Sequence, residues 1–410
     1  MLEKLAKAYV LLILIIYPVI TLFSLFGFIP FFPVNFLIMG LGLLTISCIA
    51  LCSICNKYIS ISLSDYLIVL SFIWFFSVIV LHYNIYSYTE DGRYISAIRY
   101  YSPFFIVSLC CYFIFKKSVS FFITSRSIYY LFLMYFSLSI ITIQYFDIKT
   151  FKIDFSRIID PSFIGVYQIV SDSLAFTVIS ILTLSKAPKM LKVSIIIITL
   201  FFLLILNARS GLIGFLLALI FIFKVRRYFI KKPIYIISIV LIIICAIFVS
   251  IPNIHFLSSF FENYNSRIYN IFSGNFSDDA SFLGRMKLLL HSFSIIAEHP
   301  LLGYFGSQAN IDIDGFGVRW GAYTHNIFVY WDQFGIIGFS LIGLIILMSI
   351  YSNHKLKENV GIDLFPLIIL VMSQQVFLKS FTYFYLFAMA GLIEGVKYVS
   401  KHNHNHKKLK

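Results

Sequence analysis

Residues 9–28 read YVLLILIIYPVITLFSLFGF, twenty positions without a charged side chain. That is the roughly 20 apolar residues an α-helix needs to cross a hydrocarbon core. Lys4 and Lys7 precede the stretch as they would in a secretory leader, but no small-x-small cleavage site follows, and a second apolar run starts at residue 34. It is expected to stay in place as a first membrane helix. Outward from it the same pattern continues: 60% of the 410 residues are hydrophobic, only 12% are charged, and mean hydropathy is +0.92. Soluble domains carry roughly 25% charged residues, so there is too little ionic surface here for a water-soluble fold.

Apolar windows recur at 8–28, 34–55, 64–83, 99–115, 127–146, 166–185, 193–208, 210–224, 233–252, 326–350, 363–379 and 381–397. They predict an all-α polytopic membrane protein of about 12 transmembrane helices, forming a single transmembrane domain over 1–410. In that arrangement 21 of the 32 Lys and Arg residues share a side with the N-terminus. The cytoplasmic side normally holds this excess, so both termini are expected in the cytoplasm. Acidic residues gather on the other side, among them Glu90, Asp91, Asp147, Asp154, Asp278 and Asp279. One outer loop, 253–324, is far longer than the rest and is expected to be functional. Within it Gly284–Glu298 places Met286, Leu289, Leu290, Phe293, Ile296 and Ala297 on one face, with Lys287, His291, Ser294 and Glu298 opposite. This predicts an amphipathic helix lying along the membrane surface and ended by Pro300. Residues 398–410, with alternating His and Asn, read as a disordered cytoplasmic tail.

The net charge of +14 is spread between the apolar runs and forms no basic face, so nucleic acid is not an expected partner. Cys48, Cys52, Cys55, Cys110, Cys111 and Cys245 lie in or beside apolar runs and read as buried thiols. Cys52 and Cys55 have redox or zinc spacing but no matching second pair. The chain has no GxxxxGK[ST], no strand-borne GxGxxG, no HExxH and no GxSxG. No cofactor or metal is expected, and any reaction must use a substrate already activated and delivered on the membrane.

Three features of the outer face carry chemistry. Arg209, in Asn207-Ala208-Arg209-Ser210-Gly211 between two closely spaced windows, can offer planar donors to phosphate oxygens, or serve as an ordinary interfacial arginine. Arg285 lies at the start of the predicted surface helix, where backbone N–H groups favour an anion, and reads either as an anion ligand or as a snorkelling side chain. His325 closes the long loop in Thr324-His325-Asn326 and can take a proton near neutral pH, or be structural. Arg319 and Asn326 are accessory candidates, and Asp332 is costly inside a span unless it faces a cavity. Two outer arginines and a histidine suit the breaking of a glycosyl pyrophosphate bond. Cations stabilise the departing pyrophosphate while a base activates the attacking hydroxyl.

Ala208-Arg209-Ser210-Gly211, then Gly284-Arg285 leading through Glu298-His299-Pro300-Leu301-Leu302-Gly303-Tyr304, then Thr324-His325-Asn326 with Gly335-Ile336-Ile337-Gly338, resemble the three signature stretches of the O-antigen ligase and polymerase superfamily. These are bacterial membrane glycosyltransferases that act outside the cytoplasmic membrane. The likeness covers about residues 190–345, with the spacing from Asn326 to Gly335 one residue shorter than the family pattern. The resemblance implies a multi-pass inner-membrane enzyme with a periplasmic site, metal-independent and inverting. Its substrate would be an undecaprenyl-pyrophosphate-linked oligosaccharide or polysaccharide, with Arg209 and Arg285 holding the pyrophosphate and His325 activating the acceptor. Membrane lipids and a chain-length regulator are the other implied partners. A polymerase would transfer the glycan to another lipid-linked repeat unit, a ligase to lipid A-core. The Phe-, Ile- and Tyr-rich composition places the polymerase first. A lipid-linked oligosaccharide flippase is the alternative of another class, disfavoured because charges crowd the outer rim and not the middle of the spans.

Overall fold

The computed structural model describes residues 2–30, 34–55, 61–86, 93–124, 126–147, 152–155, 166–206, 208–223, 280–307, 326–377, 379 and 382–408. Its helices are α1 (Leu2–Leu25), α2 (Val34–Cys55), α3 (Leu63–Tyr86), α4 (Arg93–Lys117), α5 (Val119–Ile123), α6 (Arg126–Tyr145), α7 (Val166–Leu184), α8 (Lys189–Ile205) and α9 (Arg209–Ile222). They continue with α10 (Ala280–Glu298), α11 (Val329–Val360), α12 (Phe365–Phe377) and α13 (Tyr385–Lys408). Between α6 and α7, Phe146–Asp147 and Lys152–Ile153 form a two-residue antiparallel ladder. Among the described residues, helices occupy eleven of the twelve apolar windows; the ninth, 233–252, lies outside them. Leu2–Leu25, Leu63–Ile85, Arg126–Tyr145, Tyr167–Leu184 and Val329–Val360 are long and apolar enough to cross a membrane by length and composition. The last helix runs on to Lys408, into the stretch read as a disordered tail, and no Gly or Pro after Gly395 interrupts it.

Where the backbone of α1 breaks, a side chain of the bundle answers it. In α1 the turn over Leu12–Ile16 widens to π geometry just ahead of Pro18. Proline has no N–H to give the Leu14 carbonyl, and the Ser173 hydroxyl of α7 donates to that carbonyl instead. Such replacement is required where no water can reach a freed carbonyl.

Contacts across the bundle define two ends. At the end where α1 begins, Asp65 at the start of α3 accepts from Lys116 at 2.6 and 2.7 Å and from the Tyr112 hydroxyl at 2.8 Å. Close by, Glu394 of α13 takes Ser352 at 2.6 Å, Ser64 at 3.1 Å and Lys397 at 3.1 Å, so both buried carboxylates are paired. Helices α4 and α13 run parallel toward this end in close contact. A Cβ on Gly391 would meet the Tyr112 carbonyl at 2.1 Å, and one on Gly395 the Lys116 carbonyl at 2.3 Å. The Gly-x-x-x-Gly spacing lets two helices approach backbone to backbone. The opposite end, here the far end, holds the starts of α7, α9, α11 and α13 and the ends of α3 and α12. Its core is aromatic, with Phe75, Phe105 and Phe305 all within 5.6 Å of Phe334, centroid to centroid.

Candidate active site

Arg209 is the first residue of α9, preceded by Ala208, whose side chain cannot cap the helix. The backbone N–H groups of this first turn therefore point out of the helix end, as an anion requires. Gly211 brings α9 onto α7, where a Cβ would fall 1.8 Å from the Ser171 hydroxyl. One turn further, a Cβ on Gly214 would lie 3.1 Å from the Gln374 amide nitrogen and 3.2 Å from the Ser373 hydroxyl of α12. The next residue of α7 after Ser171, Asp172, holds Lys379 beyond the end of α12 at 2.7 Å, and Lys379 reaches Gln168 at 3.4 Å. Both members of the pair are buried. Three residues before Lys379, the Val376 carbonyl accepts the Ile327 N–H at 3.4 Å. Asn326 accepts the Phe328 N–H at 2.9 Å through its side-chain oxygen, fixing the start of α11. The entry to α9, the ion pair and the entry to α11 thus meet at one corner of the far end.

The second part of the site is a junction between α10 and a broken helix. Gly335 interrupts α11 with φ 69° and ψ −178°. The break frees the Asp332 carbonyl and the Ile336 N–H, which would otherwise bond each other. The turn after α10 takes both: Ile336 N–H donates to the Pro300 carbonyl at 3.0 Å, and Tyr304 N–H donates to the Asp332 carbonyl at 2.7 Å. The Phe334 carbonyl is taken by the Trp74 indole at 2.8 Å. The close approach needs the missing side chain, since a Cβ on Gly335 would stand 1.9 Å from the Leu301 carbonyl oxygen. Side chains then fasten the parts together. The Asp332 carboxylate accepts from Ser292 of α10 at 2.7 Å and from Ser307 at 3.2 Å. Gln333 accepts the Gly306 N–H at 2.7 Å, and His82 accepts the Phe305 N–H through Nδ1 at 3.0 Å.

The helix predicted over 284–298 is present as part of α10, and it has in addition a side packed on the bundle. Leu288, Ser292 and Ile295 are buried against the protein, whereas Met286, Leu290 and Phe293 of the expected apolar face are exposed, Leu290 by 64%. The helix therefore carries two useful sides, and the buried one contains a serine because Asp332 needs a donor. His291, between the two sides, is held below the ordinary histidine range by burial, partly opposed by Glu298.

Of the residues expected at the site, Arg209, Arg285 and Asn326 fall within the described elements, while His325 and Arg319 lie outside the described residues. Arg285 precedes Ser292 on α10 by seven residues, about 10 Å along the helix. Sequence reading missed the Asp172–Lys379 pair. Asp172 is the sole charged residue in the window 166–185, a signal that marks a functional position inside a membrane. Its partner lies 207 residues away (172 to 379), beyond the reach of spacing arguments. Among the described residues no three His, Cys, Asp or Glu side chains cluster as metal ligands would.

A helical bundle rich in membrane-length apolar helices, with a broken helix and paired charges at one end, defines a polytopic membrane protein. Residues 194–343 match the family described as O-antigen ligase, a match consistent with the O-antigen ligase and polymerase superfamily that the motifs of this segment resemble. The match spans 150 of the 410 residues, from α8 into α11, and contains Arg209, Arg285, Arg319, His325 and Asn326. It supports ligase- or polymerase-type transfer of lipid-linked glycans. No curated protein matches the chain.

Proposed function

We propose that this protein is a polysaccharide polymerase that transfers a glycan from undecaprenyl pyrophosphate to another lipid-linked repeat unit on the periplasmic side of the inner membrane. The observation that carries the reading is the family match over 194–343, which takes in both arginines and the histidine. In this mechanism Arg209 and Arg285 hold the donor diphosphate. The acceptor hydroxyl attacks the anomeric carbon from the face opposite the leaving group, so the configuration inverts. Its proton passes to His325 as the bond to the diphosphate breaks. The two guanidinium groups stabilise the charge that gathers on the departing oxygens, a role that needs no metal. Arg319 and Asn326 assist, Asn326 by holding the chain after His325 in place. A chain-length regulator is a proposed partner, and both termini are proposed to lie in the cytoplasm.

The description of the matched family favours a second reading, transfer to lipid A-core by a ligase. Lipopolysaccharide from a deletion strain separates them. A polymerase mutant shows core bearing one repeat unit, and a ligase mutant shows bare core with lipid-linked polymer accumulating. Complementation with Arg209→Ala, Arg285→Ala or His325→Ala is expected to leave protein in the membrane and no transfer. Activity retained by all three would refute the site assignment, and unchanged lipopolysaccharide in the deletion strain would refute both readings.

A further inference from the structure

The ion pair at the far corner is not needed to join α7 to α12, because α9 already packs against both through Gly211 and Gly214. It is buried inside an apolar bundle, with Asp172 exposed by 5% and Lys379 by 8%. Charged groups in such a place are expensive and mark a ligand path or a reaction centre. The pair also sits among polar atoms that its surroundings leave unanswered. Ser171 Oγ, Asp172 Oδ1, both amide atoms of Gln374 and the hydroxyl of Tyr383 are buried without a hydrogen-bond partner. Buried polar atoms in native proteins are nearly always satisfied by protein, water or ligand, so this group of atoms, here called the polar chamber, is suited to hold a polar occupant.

Its position says what the occupant is. Ser171 touches the first turn of α9, two residues beyond Arg209, and Val376 bonds the residue that follows Asn326. An ammonium has three N–H donors on a flexible stem, of which Asp172 and Gln168 take two. We propose that Lys379 is a third cationic contact for the lipid-borne diphosphate, with Asp172 as the positioning residue that holds its ammonium toward the chamber. The inference rests on the glycan-transferase reading of the same corner. It adds a residue outside the matched segment and places the inner end of the anion site between α7, α9 and α12. In the unliganded protein Asp172 balances the lysine charge. On binding, phosphate oxygens share that ammonium, and the amide and hydroxyl groups of Gln374, Ser171 and Tyr383 supply neutral hydrogen bonds.

The test uses the full chain in nanodiscs with undecaprenyl pyrophosphate as probe and phosphatidylglycerol as competitor. Two double variants separate structure from binding: Asp172→Lys with Lys379→Asp keeps an ion pair in reverse, and Asp172→Leu with Lys379→Met removes both charges. Melting and the amount in the membrane report folding. The expected result is that at least one double variant accumulates and melts like the wild type, yet binds the probe about tenfold or more weakly, the loss expected for one charge-assisted bond. Binding unchanged in a folded double variant overturns the inference. So does equal competition by phosphatidylglycerol, which would make the chamber a general lipid-phosphate site. Failure of both variants to accumulate also overturns it, since the pair would then be a structural link. Arg209→Ala is measured alongside. If it weakens binding and the Lys379 variants do not, the transferase reading stands without this residue. If the Lys379 variants weaken binding and Arg209→Ala does not, the chamber stands and the arginine assignment falls.

Discussion

Asp332 shows how one side chain can be legible as a problem and illegible as a solution. A carboxylate two turns into a hydrophobic run is costly, and that much follows from spacing alone. What resolves the cost is Ser292, 40 positions earlier on another helix, and Ser307, 25 positions earlier in the loop. Neither could be picked from among the serines by pattern. Asp332→Leu would remove the charge and leave the buried Ser292 hydroxyl without its acceptor, at about 1–3 kcal/mol, while Ser307 keeps the Gln333 amide as a donor. The expected outcome is a lower melting temperature with faster amide exchange over 286–296, where α10 loses its anchor. Ser292→Ala should give the same local loosening with a smaller change in melting, because it leaves Ser307 on the carboxylate. Unchanged exchange along α10 in both variants would mean that the apolar contacts of Leu288 and Ile295 hold the helix unaided.

Among the elements, long apolar helices were legible almost to their ends because twenty-residue runs leave little choice of structure in a membrane. The break in α11 was not. Gly335 lies inside an apolar window, and its neighbours give no sign that the chain turns there. The reason is tertiary: the turn at Pro300–Tyr304 supplies the bonds that the helix gives up, so the break exists only where α10 delivers that turn. The bundle-facing side of α10 was hidden for a related cause, since Ser292 finds its partner only in Asp332 of another helix. Two glycines of the same helix make a controlled comparison. Gly335→Ala should lose folded protein, because φ 69° and a carbonyl oxygen at 1.9 Å leave no room for a methyl group. Gly343→Ala meets nothing within 4 Å and should be neutral or stabilising by up to about 1 kcal/mol. Melting curves of the two purified variants decide, and equal stability would mean that α11 can close into a regular helix at Gly335.

At the scale of the molecule the two ends carry different polar structure. The end where α1 begins holds closed networks around Asp65 and Glu394, each carboxylate bonded to a lysine and a hydroxyl. The far end holds the broken helix, the unanswered polar atoms beside Asp172, and the entries to α9 and α11. Closed networks fasten a bundle, whereas open ones are where a ligand can act. The lysine excess falls on the closed end, with Lys116, Lys117, Lys355, Lys357, Lys397 and Lys401 all at or beyond it. Positive charge near membrane segments marks the cytoplasmic side, so the open end should face the periplasm. Single cysteines in a cysteine-free background test this directly. Asn84→Cys lies at the far end of α3, and Glu358→Cys near the end of α11. A membrane-impermeant maleimide added to intact spheroplasts is expected to label the first and spare the second until the membrane is opened. The reverse pattern would place the Arg209 corner in the cytoplasm, opposite the side on which this reading places both lipid-linked substrates, and transfer by this protein would have to be abandoned.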